Sequence, residues 1–251
     1  MNDRMLSASE QNTANIQKSA FSVAVFILIL FCIGNFVLGL GWVNKSFPGF
    51  FFYENLVITD ISPIAVNGNT IKRFKDRILK ITGVDVSTPA EIFSITDSLP
   101  VGAEVEYTIV RNGNTFNVTI PTQKFSTKDL LLVFGIIYII GVIFLLIGTM
   151  VLHVKPHLRA SKAFFFFCAS ICVWFVGSFN GQAVYFFDQI TFFALVFSPF
   201  FGICLMFIFP SDTKMRGVTR NLIVLLFLFI SAILFILQFI FFDTYEIWKY
   251  T

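Results

Sequence analysis

The sequence predicts an α-helical membrane bundle of about five transmembrane helices, with an extracytoplasmic α+β domain inserted between helices 1 and 2. Three observations predict this fold class. Of the 251 residues, 56% are hydrophobic and only 13% are charged, whereas soluble domains are about one quarter charged. Five long apolar runs are separated by polar segments. The longest polar segment, residues 41–129, has the size of one small domain.

The apolar runs predict the transmembrane helices, because about 20 apolar residues are needed to cross a bilayer. The competing interpretation of the first run is a cleaved signal peptide, but its polar lead is long and no clear cleavage site follows it. No Asp, Glu, Lys or Arg lies within the five runs, which argues against an ion-coupled transporter. The predicted spans are residues 20–41, 130–152, 163–184, 190–209 and 222–242.

Single residues within these spans indicate how the helices end and pack. Pro199 is expected to kink the fourth span. Gly135, Gly141 and Gly148 are expected to allow close contacts between helices, although their spacing differs from that of a dimerisation motif. The dipeptide Asp188-Gln189 is expected to form a tight turn between the third and fourth spans.

The distribution of basic residues predicts the orientation. Residues 1–19, interpreted as a short disordered tail, carry two Lys or Arg, and the loops 153–162 and 210–221 carry three each. The turn at 178–189 carries none. Long translocated domains are discounted by the positive-inside rule, so the N-terminus is predicted to be cytoplasmic. The inserted domain and the tail at 243–251 are then predicted to lie outside.

The inserted segment is organised around the stretch from Lys75 to Val86. Ile78, Leu79 and Ile81 predict a strand, and Gly83 supplies the turn that follows it.

The next elements follow in order along the chain. Thr88-Pro89-Ala90-Glu91 predicts a helix start with a capping box and Pro at the first position. Alternating patterns predict strands at Leu56–Ile61, Val105–Val110 and Phe116–Ile120, and Asn112-Gly113 predicts the hairpin turn between the last two.

This order of strands, capped helix and hairpin resembles PDZ domains, from about Phe50 to Thr122 within a domain at 43–125. Lys75 stands where these domains usually have Gly. The resemblance implies that an extended peptide adds as a strand to one sheet edge beside the capped helix. It implies that Arg77 and Arg111 could meet a ligand carboxylate, although solvated surface charge is the favoured interpretation.

The resemblance also implies ligand-binding roles for five residues. Phe50, Phe51 and Phe52 would lie near the carboxylate-binding loop or the receiving strand, and Ile92 and Ile95 would line the groove or face the core. The alternative for the three Phe residues is that they anchor the domain to the bilayer surface.

The wider arrangement resembles the N-terminal sensor region of bacterial membrane histidine kinases of the quorum-sensing type. The resemblance is carried by the Pro48-Gly49-Phe50-Phe51 entry, the Phe125–Gly135 run and Ile208-Phe209-Pro210. It implies a multi-pass protein of the bacterial cytoplasmic (inner) membrane that contacts lipid. It also implies a peptide or protein C-terminus as ligand, a cytoplasmic output domain or partner kinase, and a homodimer. The chain departs from this family because it contains no dimerisation helix, kinase core or phosphatase domain.

The sequence contains no motif that indicates catalysis, metal binding or nucleic-acid binding. Neither His153 nor His157 is followed by the Glu of a zinc-protease helix, and there is no Gly-x-Ser-x-Gly elbow. Cys168 and Cys172 share a helical face without further metal ligands nearby. A net charge of +3 is too small and dispersed for nucleic acid. The predicted function is therefore a membrane sensor, without cofactor or enzymatic activity, and the alternative is an envelope scaffold or assembly protein. A transporter component is disfavoured.

Overall fold

The protein was analysed as a computed structural model that describes residues 8–53, 55–61, 71–72, 75–183, 186–209 and 217–241. Five of its helices are long and apolar enough to cross a membrane, in agreement with the five predicted spans. By this measure the chain is a multi-pass membrane protein. Most of the 210–221 loop and the 243–251 tail lie outside the described residues. The five candidate spans are Ile16–Leu40, Thr127–Val154, Arg159–Gly181, Phe187–Ile208 and Gly217–Phe241.

The helices alternate in direction through the bundle. The first is α1 (Ala8–Leu40), and the last three are α5 (Arg159–Ala183), α6 (Phe186–Ile208) and α7 (Gly217–Phe241). The second crossing begins with the short helix α3 (Thr127–Leu130), passes through a π-helical segment (Leu131–Gly135) and continues as α4 (Ile136–Val154). Helix α2 belongs to the α+β domain.

Two expectations about helix boundaries were wrong. Helix α1 begins at Ala8, so residues 8–19 of the predicted disordered tail are helical. Extending an existing helix by further residues costs much less than starting one. Asp188 and Gln189 lie in the first turn of α6 rather than in a loop, where an acidic side chain interacts favourably with the helix dipole. Pro199 lies inside α6.

Small residues allow the central helices to approach closely, as the glycines predict. A Cβ atom at Gly141 would lie 2.9 Å from Cγ2 of Val176, and one at Gly148 would lie 2.6 Å from Cβ of Cys168. Both neighbours belong to α5, so these two glycines define the contact between α4 and α5. Gly135 differs from these two glycines. The atoms nearest to a Cβ at this position belong to the Leu131 side chain and to the Leu130 carbonyl, in the preceding turn of the same crossing.

Helix α1 is joined to α5 by buried polar groups. The Asn180 side-chain amide donates to the Asn35 backbone carbonyl and to its side-chain oxygen, each at 2.9 Å. Further along the same contact, the sulfur atoms of Cys32 and Cys172 are 3.7 Å apart. Such interhelical hydrogen bonds contribute about 0.6 kcal/mol on average within a membrane. They fix the register of α1 against α5.

The α+β domain begins and ends at one point above the membrane helices. Strand β1 (Ser46–Phe47) pairs antiparallel with β8 (Gln123–Lys124). The N–H of Asn44 donates to the carbonyl of Phe125 at 2.9 Å, and the N–H of Phe125 donates to that of Lys45 at 3.0 Å. The two chain connections between the domain and the bundle are therefore hydrogen-bonded to each other.

The remaining strands form one four-stranded and one two-stranded sheet. In the larger sheet the strand order is β5-β4-β6-β7, and all neighbours are antiparallel. In the smaller sheet β2 pairs antiparallel with β3. The bounds are β2 (Phe50–Phe52), β3 (Ile58–Ile61), β4 (Arg77–Ile81), β5 (Val84–Asp85), β6 (Glu104–Arg111) and β7 (Asn114–Pro121).

The local predictions for this domain are confirmed. Strands β4 and β5 form a hairpin around Thr82 and Gly83, and β6 and β7 form one around Asn112 and Gly113. All four turn residues have positive φ, the conformation that two-residue hairpin turns require. Helix α2 (Pro89–Asp97) begins after Thr88, as its capping pattern predicts.

A buried ion pair joins the start of β4 to the end of β6. The guanidinium of Arg111 donates from Nε and Nη2 to the two carboxylate oxygens of Asp76 at 2.5 and 2.6 Å. Asp76 is fully buried, and its carboxylate also accepts from the N–H of Lys72 at 2.7 Å. The hydrogen bond to Asp76 raises the pKa of Arg111 above its usual value. The favoured interpretation of Arg111 as a solvated surface charge was therefore wrong, whereas Arg77 is half-buried and donates to the Asn55 carbonyl.

We predict that Asp76→Ala destabilises the α+β domain by about 3–5 kcal/mol, because it leaves the partly buried Arg111 without its carboxylate partner. The measurement is thermal unfolding of the domain followed by proteolysis at increasing temperature. The control is Tyr107→Phe, since the Tyr107 hydroxyl is buried without a partner among the described residues, and its removal costs little. Equal melting temperatures for the Asp76 variant and the wild type would contradict the structural role of the pair.

We also predict that a membrane-permeant oxidant joins Cys32 to Cys172. Their sulfur atoms are 3.7 Å apart, and small helix movements bring thiols at this distance to the bonding distance of about 2.05 Å. Peptide mapping under non-reducing conditions should recover the α1–α5 crosslink. Cys204→Ser serves as the control and should leave the crosslink yield unchanged. A crosslink found only between other cysteines would refute the packing of α1 on α5.

Candidate functional site

Strand β2 lies between two hydrophobic clusters, and its side chains point alternately into one and the other. Phe50 and Phe52 are fully buried in the core of the α+β domain, where Phe50 contacts Tyr107 with ring centroids 5.3 Å apart. Phe51 points to the opposite face and is 1% exposed. Because successive side chains of a strand alternate between its faces, one short strand contributes to both clusters.

The cluster on the Phe51 side connects the domain to the membrane helices, and we call it the aromatic junction. Phe51 contacts Phe179 of α5 at 5.5 Å, and Phe125 stacks on Phe179 at 5.8 Å between ring centroids. Phe134, in the π-helical segment, contacts Phe179 at 5.3 Å. Phe179 therefore receives contacts from three parts of the chain. The aromatic junction consists of Trp42, Phe47, Phe51, Phe125, Phe134 and Phe179.

The residue after β2 makes a second connection to the bundle. Tyr53 lies two positions after Phe51, on the same face of the chain, and lines a cavity of about 230 Å³ together with Asp188 of α6. Burial raises the pKa of Tyr53, and the nearby Asp188 carboxylate raises it further. The cavity wall also includes Ser178, Thr191 and Gln238. Phe51 of β2 thus contacts α5, and Tyr53, directly after β2, lies near α6.

Helix α2 lies against the other face of β2. The ring of Phe93 stacks on Phe52 with centroids 4.8 Å apart and 20° between the ring planes. Trp42 contacts the same Phe93 at 4.7 Å. Within the part of the chain that the structure describes, β3 is the only strand paired with β2. The second edge of β2 is therefore not paired with another described strand, and α2 packs on the face of β2 that carries Phe52.

The start of α2 is held by Glu91. Its carboxylate accepts from the N–H of Ser87 at 2.8 Å and from that of Thr88 at 3.4 Å. These hydrogen bonds, that from Ser87 first, lower the pKa of Glu91. When folding lowers the pKa of a carboxyl group, that group stabilises the folded state at pH values above its pKa in the unfolded chain. The stabilisation is lost as the pH falls through the pKa of the folded state. The cap of α2 consequently weakens in acid.

The five residues with predicted ligand-binding roles lie close together but are mostly covered. Phe50, Phe51, Phe52 and Ile92 are almost completely buried, and Ile95 is half-buried against the same core. Phe51 is covered by the protein's own Phe179 rather than exposed for the bilayer. Direct ligand contact by these side chains stays a prediction, whereas the strand that carries three of them is adjacent to α2 as expected.

Several residues that build this site were not predicted as site residues. Phe179 falls within the predicted span at residues 163–184, and Phe93 follows the capping pattern at Thr88–Glu91, but neither residue was given a role in the site. Asp188 was assigned to a turn. The position of Phe179 in the sequence does carry a signal. Aromatic residues are enriched at the ends of membrane spans, and an external domain contacts a membrane helix at such an end.

Among the residues that the structure describes, no group of three His, Cys, Asp or Glu side chains could hold a metal ion. Comparison with protein-family models and with curated proteins gives no match for this chain.

We predict that Phe179→Ala loosens the domain from the bundle. Removing a buried Phe side chain costs about 3–5 kcal/mol in a packed core, and Phe179 contacts three segments of the junction. Hydrogen exchange measured by mass spectrometry should become faster in residues 43–53 and 122–126. The matched control is Phe166→Ala, the same change on the same helix at a position that is 44% exposed. Equal exchange in both variants would show that the domain does not depend on this contact.

Proposed function

We propose that this chain is a membrane sensor module whose α+β domain is PDZ-like and lies outside the cytoplasm. The domain binds an extended peptide or a protein C-terminus, and the bound state is passed to the helical bundle. One observation carries the proposal: β2 contributes Phe52 to the contact with α2 and Phe51 to the contact with α5. A change in the position of β2 therefore affects the binding edge and the membrane helices together.

Peptide binding is supported by a strand edge that no described strand occupies. The backbone N–H and C=O groups of an unpaired strand edge pair readily with an added strand. The second edge of β2 is unpaired within the described residues, and Phe50, Phe51 and Phe52 are buried without a ligand, so in the proposal this edge becomes accessible when the peptide binds. The half-buried rings of Trp42 and Phe93, in contact at 4.7 Å, supply an apolar surface next to it for a side chain of the ligand.

Transmission to the bundle requires that the peptide favours one packing of the domain on the helices over another. A ligand shifts an equilibrium only if it binds two states with different affinity. Here the two states differ in how Phe51 and Tyr53 pack against α5 and α6, since both residues follow any displacement of β2. Closely packed aromatic rings move between a few discrete arrangements rather than deforming continuously.

The position of basic side chains supports the proposed orientation. Lys18, Lys155, Arg159 and Lys162 lie at the end of the bundle away from the α+β domain. By the positive-inside rule this end is cytoplasmic. In the proposal, a partner at the cytoplasmic face, such as a kinase, detects the changed packing of the helices in the inner membrane of a bacterium.

The test uses the full chain in lipid nanodiscs, with Trp174→Phe and Trp248→Phe so that Trp42 is the reporter. A library of peptides with free C-termini is titrated while Trp42 fluorescence measures binding. Hydrogen exchange in residues 186–192 of α6 measures transmission. We expect a binding peptide to change both signals, because Trp42 lies at the proposed edge and Tyr53 lies near Asp188.

The variant Phe179→Ala separates binding from transmission. Trp42 also contacts Phe179, with ring centroids 6.5 Å apart, so the fluorescence of this variant without peptide serves as its own baseline. Peptide should still change the fluorescence, because Phe52 and Trp42 keep their contacts with Phe93, and the change in exchange should be lost because the junction is weakened. A peptide that binds without any change in α6 of the unmodified bundle would favour the scaffold or assembly function instead. If no peptide changes Trp42 fluorescence, the proposed ligand class is wrong.

A further inference from the structure

A second cavity lies at the opposite end of the bundle, between α1, α4 and the start of α5. Its volume is about 540 Å³, which is within the range of small-molecule sites. It is separate from the aromatic junction, because its walls come from the first turns of the α1 span and the last turn of α4. None of the functions proposed above uses it.

The rim of this cavity is basic. The cavity is lined by Lys18 of α1, Lys162 of α5, His153 and His157, and no carboxylate is among the described residues that line it. The Lys162 ammonium donates to the side-chain oxygen of Gln17 at 2.8 Å and lies 6.0 Å from the centroid of the Phe21 ring. The ammonium is thereby placed at the rim rather than extended into solvent.

The interior of the same cavity is apolar. Phe21 and Val25 of α1 face Leu152 of α4 across it. Two hydroxyl groups lie among them. That of Ser22 donates to the Lys18 carbonyl at 3.0 Å, whereas that of Thr149 is buried and has no hydrogen-bond partner within the described part of the chain. Thr149 lies one turn before His153 on α4, so hydrogen-bonding side chains follow the apolar wall within about 6 Å along the helix.

We propose that this cavity binds the phosphate-bearing headgroup of an anionic membrane lipid. The two lysines and the two histidines present hydrogen-bond donors for phosphate oxygens, and the apolar wall accepts the first part of an acyl chain. The Thr149 hydroxyl is positioned to donate to an ester oxygen between them. A basic pocket between membrane helices at the end that carries the basic loops is suited to this class of ligand.

A soluble phosphate compound has the same headgroup chemistry but would leave the apolar wall unoccupied. Apolar surface contributes about 25 cal/mol for each Å² removed from water. The lysine-bearing rim and the apolar interior together therefore favour a lipid over a soluble phosphate compound. The experiment distinguishes these two ligands.

The experiment measures binding to the purified full chain by native mass spectrometry. Phosphatidylglycerol is compared with zwitterionic phosphatidylcholine, and glycerol 3-phosphate represents the soluble source. We expect phosphatidylglycerol to bind most tightly. A lysine near an anionic headgroup contributes about fivefold in affinity, so Lys18→Gln with Lys162→Gln should weaken phosphatidylglycerol binding by about 25-fold.

The matched control is Lys155→Gln with Arg159→Gln, which makes the same change in net charge at the same end of the bundle but outside the described cavity lining. We expect this variant to lose less than about threefold in affinity for phosphatidylglycerol. Ser22→Phe, which fills the cavity and removes no charge, should abolish binding. Each variant is used only if it forms the Cys32–Cys172 crosslink.

The proposal is overturned by any of three results. Equal losses in the two double variants would mean that the loop attracts lipid only by its net charge. Unchanged binding by Ser22→Phe would place the lipid outside the cavity. Glycerol 3-phosphate binding as tightly as phosphatidylglycerol would assign the site to a soluble phosphate compound.

Discussion

The contact of Phe51 with Phe179 decides where the α+β domain sits, because it joins two hydrophobic cores that would otherwise be independent. The domain has a complete core of its own, in which Phe50 and Phe52 are fully buried. A separate hydrophobic core is characteristic of a domain. Without the helices, the rings of Phe47, Phe51 and Phe125 would form one exposed apolar patch, which soluble surfaces rarely tolerate. Docking on Phe179 removes this patch from water and fixes the domain on α5.

The same geometry limits how the domain can move. Its two connections to the membrane leave from one place, where the Asn44 and Phe125 backbones are hydrogen-bonded at 2.9 Å. The domain can therefore rotate about this point, but its two ends cannot separate without breaking the β1–β8 pair. The π-helical segment Leu131–Gly135 lies directly after this point and carries Phe134 into the junction. Such segments interrupt the regular helix and are frequent at functional sites. A rotation of the domain would therefore displace this segment before the rest of the second crossing.

Features set by neighbouring residues could be predicted from the sequence, and features set by distant ones could not. The two hairpins, the capped helix α2 and the five spans depend on short patterns such as Asn112-Gly113. The partners Asp76 and Arg111 are 35 positions apart, and Asn35 and Asn180 are 145 apart, so no local pattern pairs them. The Phe50–Phe52 run shows the limit most clearly. Three identical residues contain no alternation of polarity, and only the fold shows that the middle one faces the membrane helices.

Helix α5 links the two proposed sites physically. Phe179 lies near one end of it and Lys162 near the other, and the helix between them is continuous from Arg159 to Ala183. Close contacts at Gly141 and Gly148 hold it against α4, and Asn180 and Cys172 hold it against α1. A tilt of α5 that repacks Phe179 therefore also changes the distance from Lys162 to Lys18 across the lipid cavity. If both proposals hold, the two binding equilibria are coupled, and coupling of this kind is reciprocal. Occupancy of the cavity by anionic lipid would then alter the affinity of the α+β domain for its peptide by the same factor by which the peptide alters lipid binding.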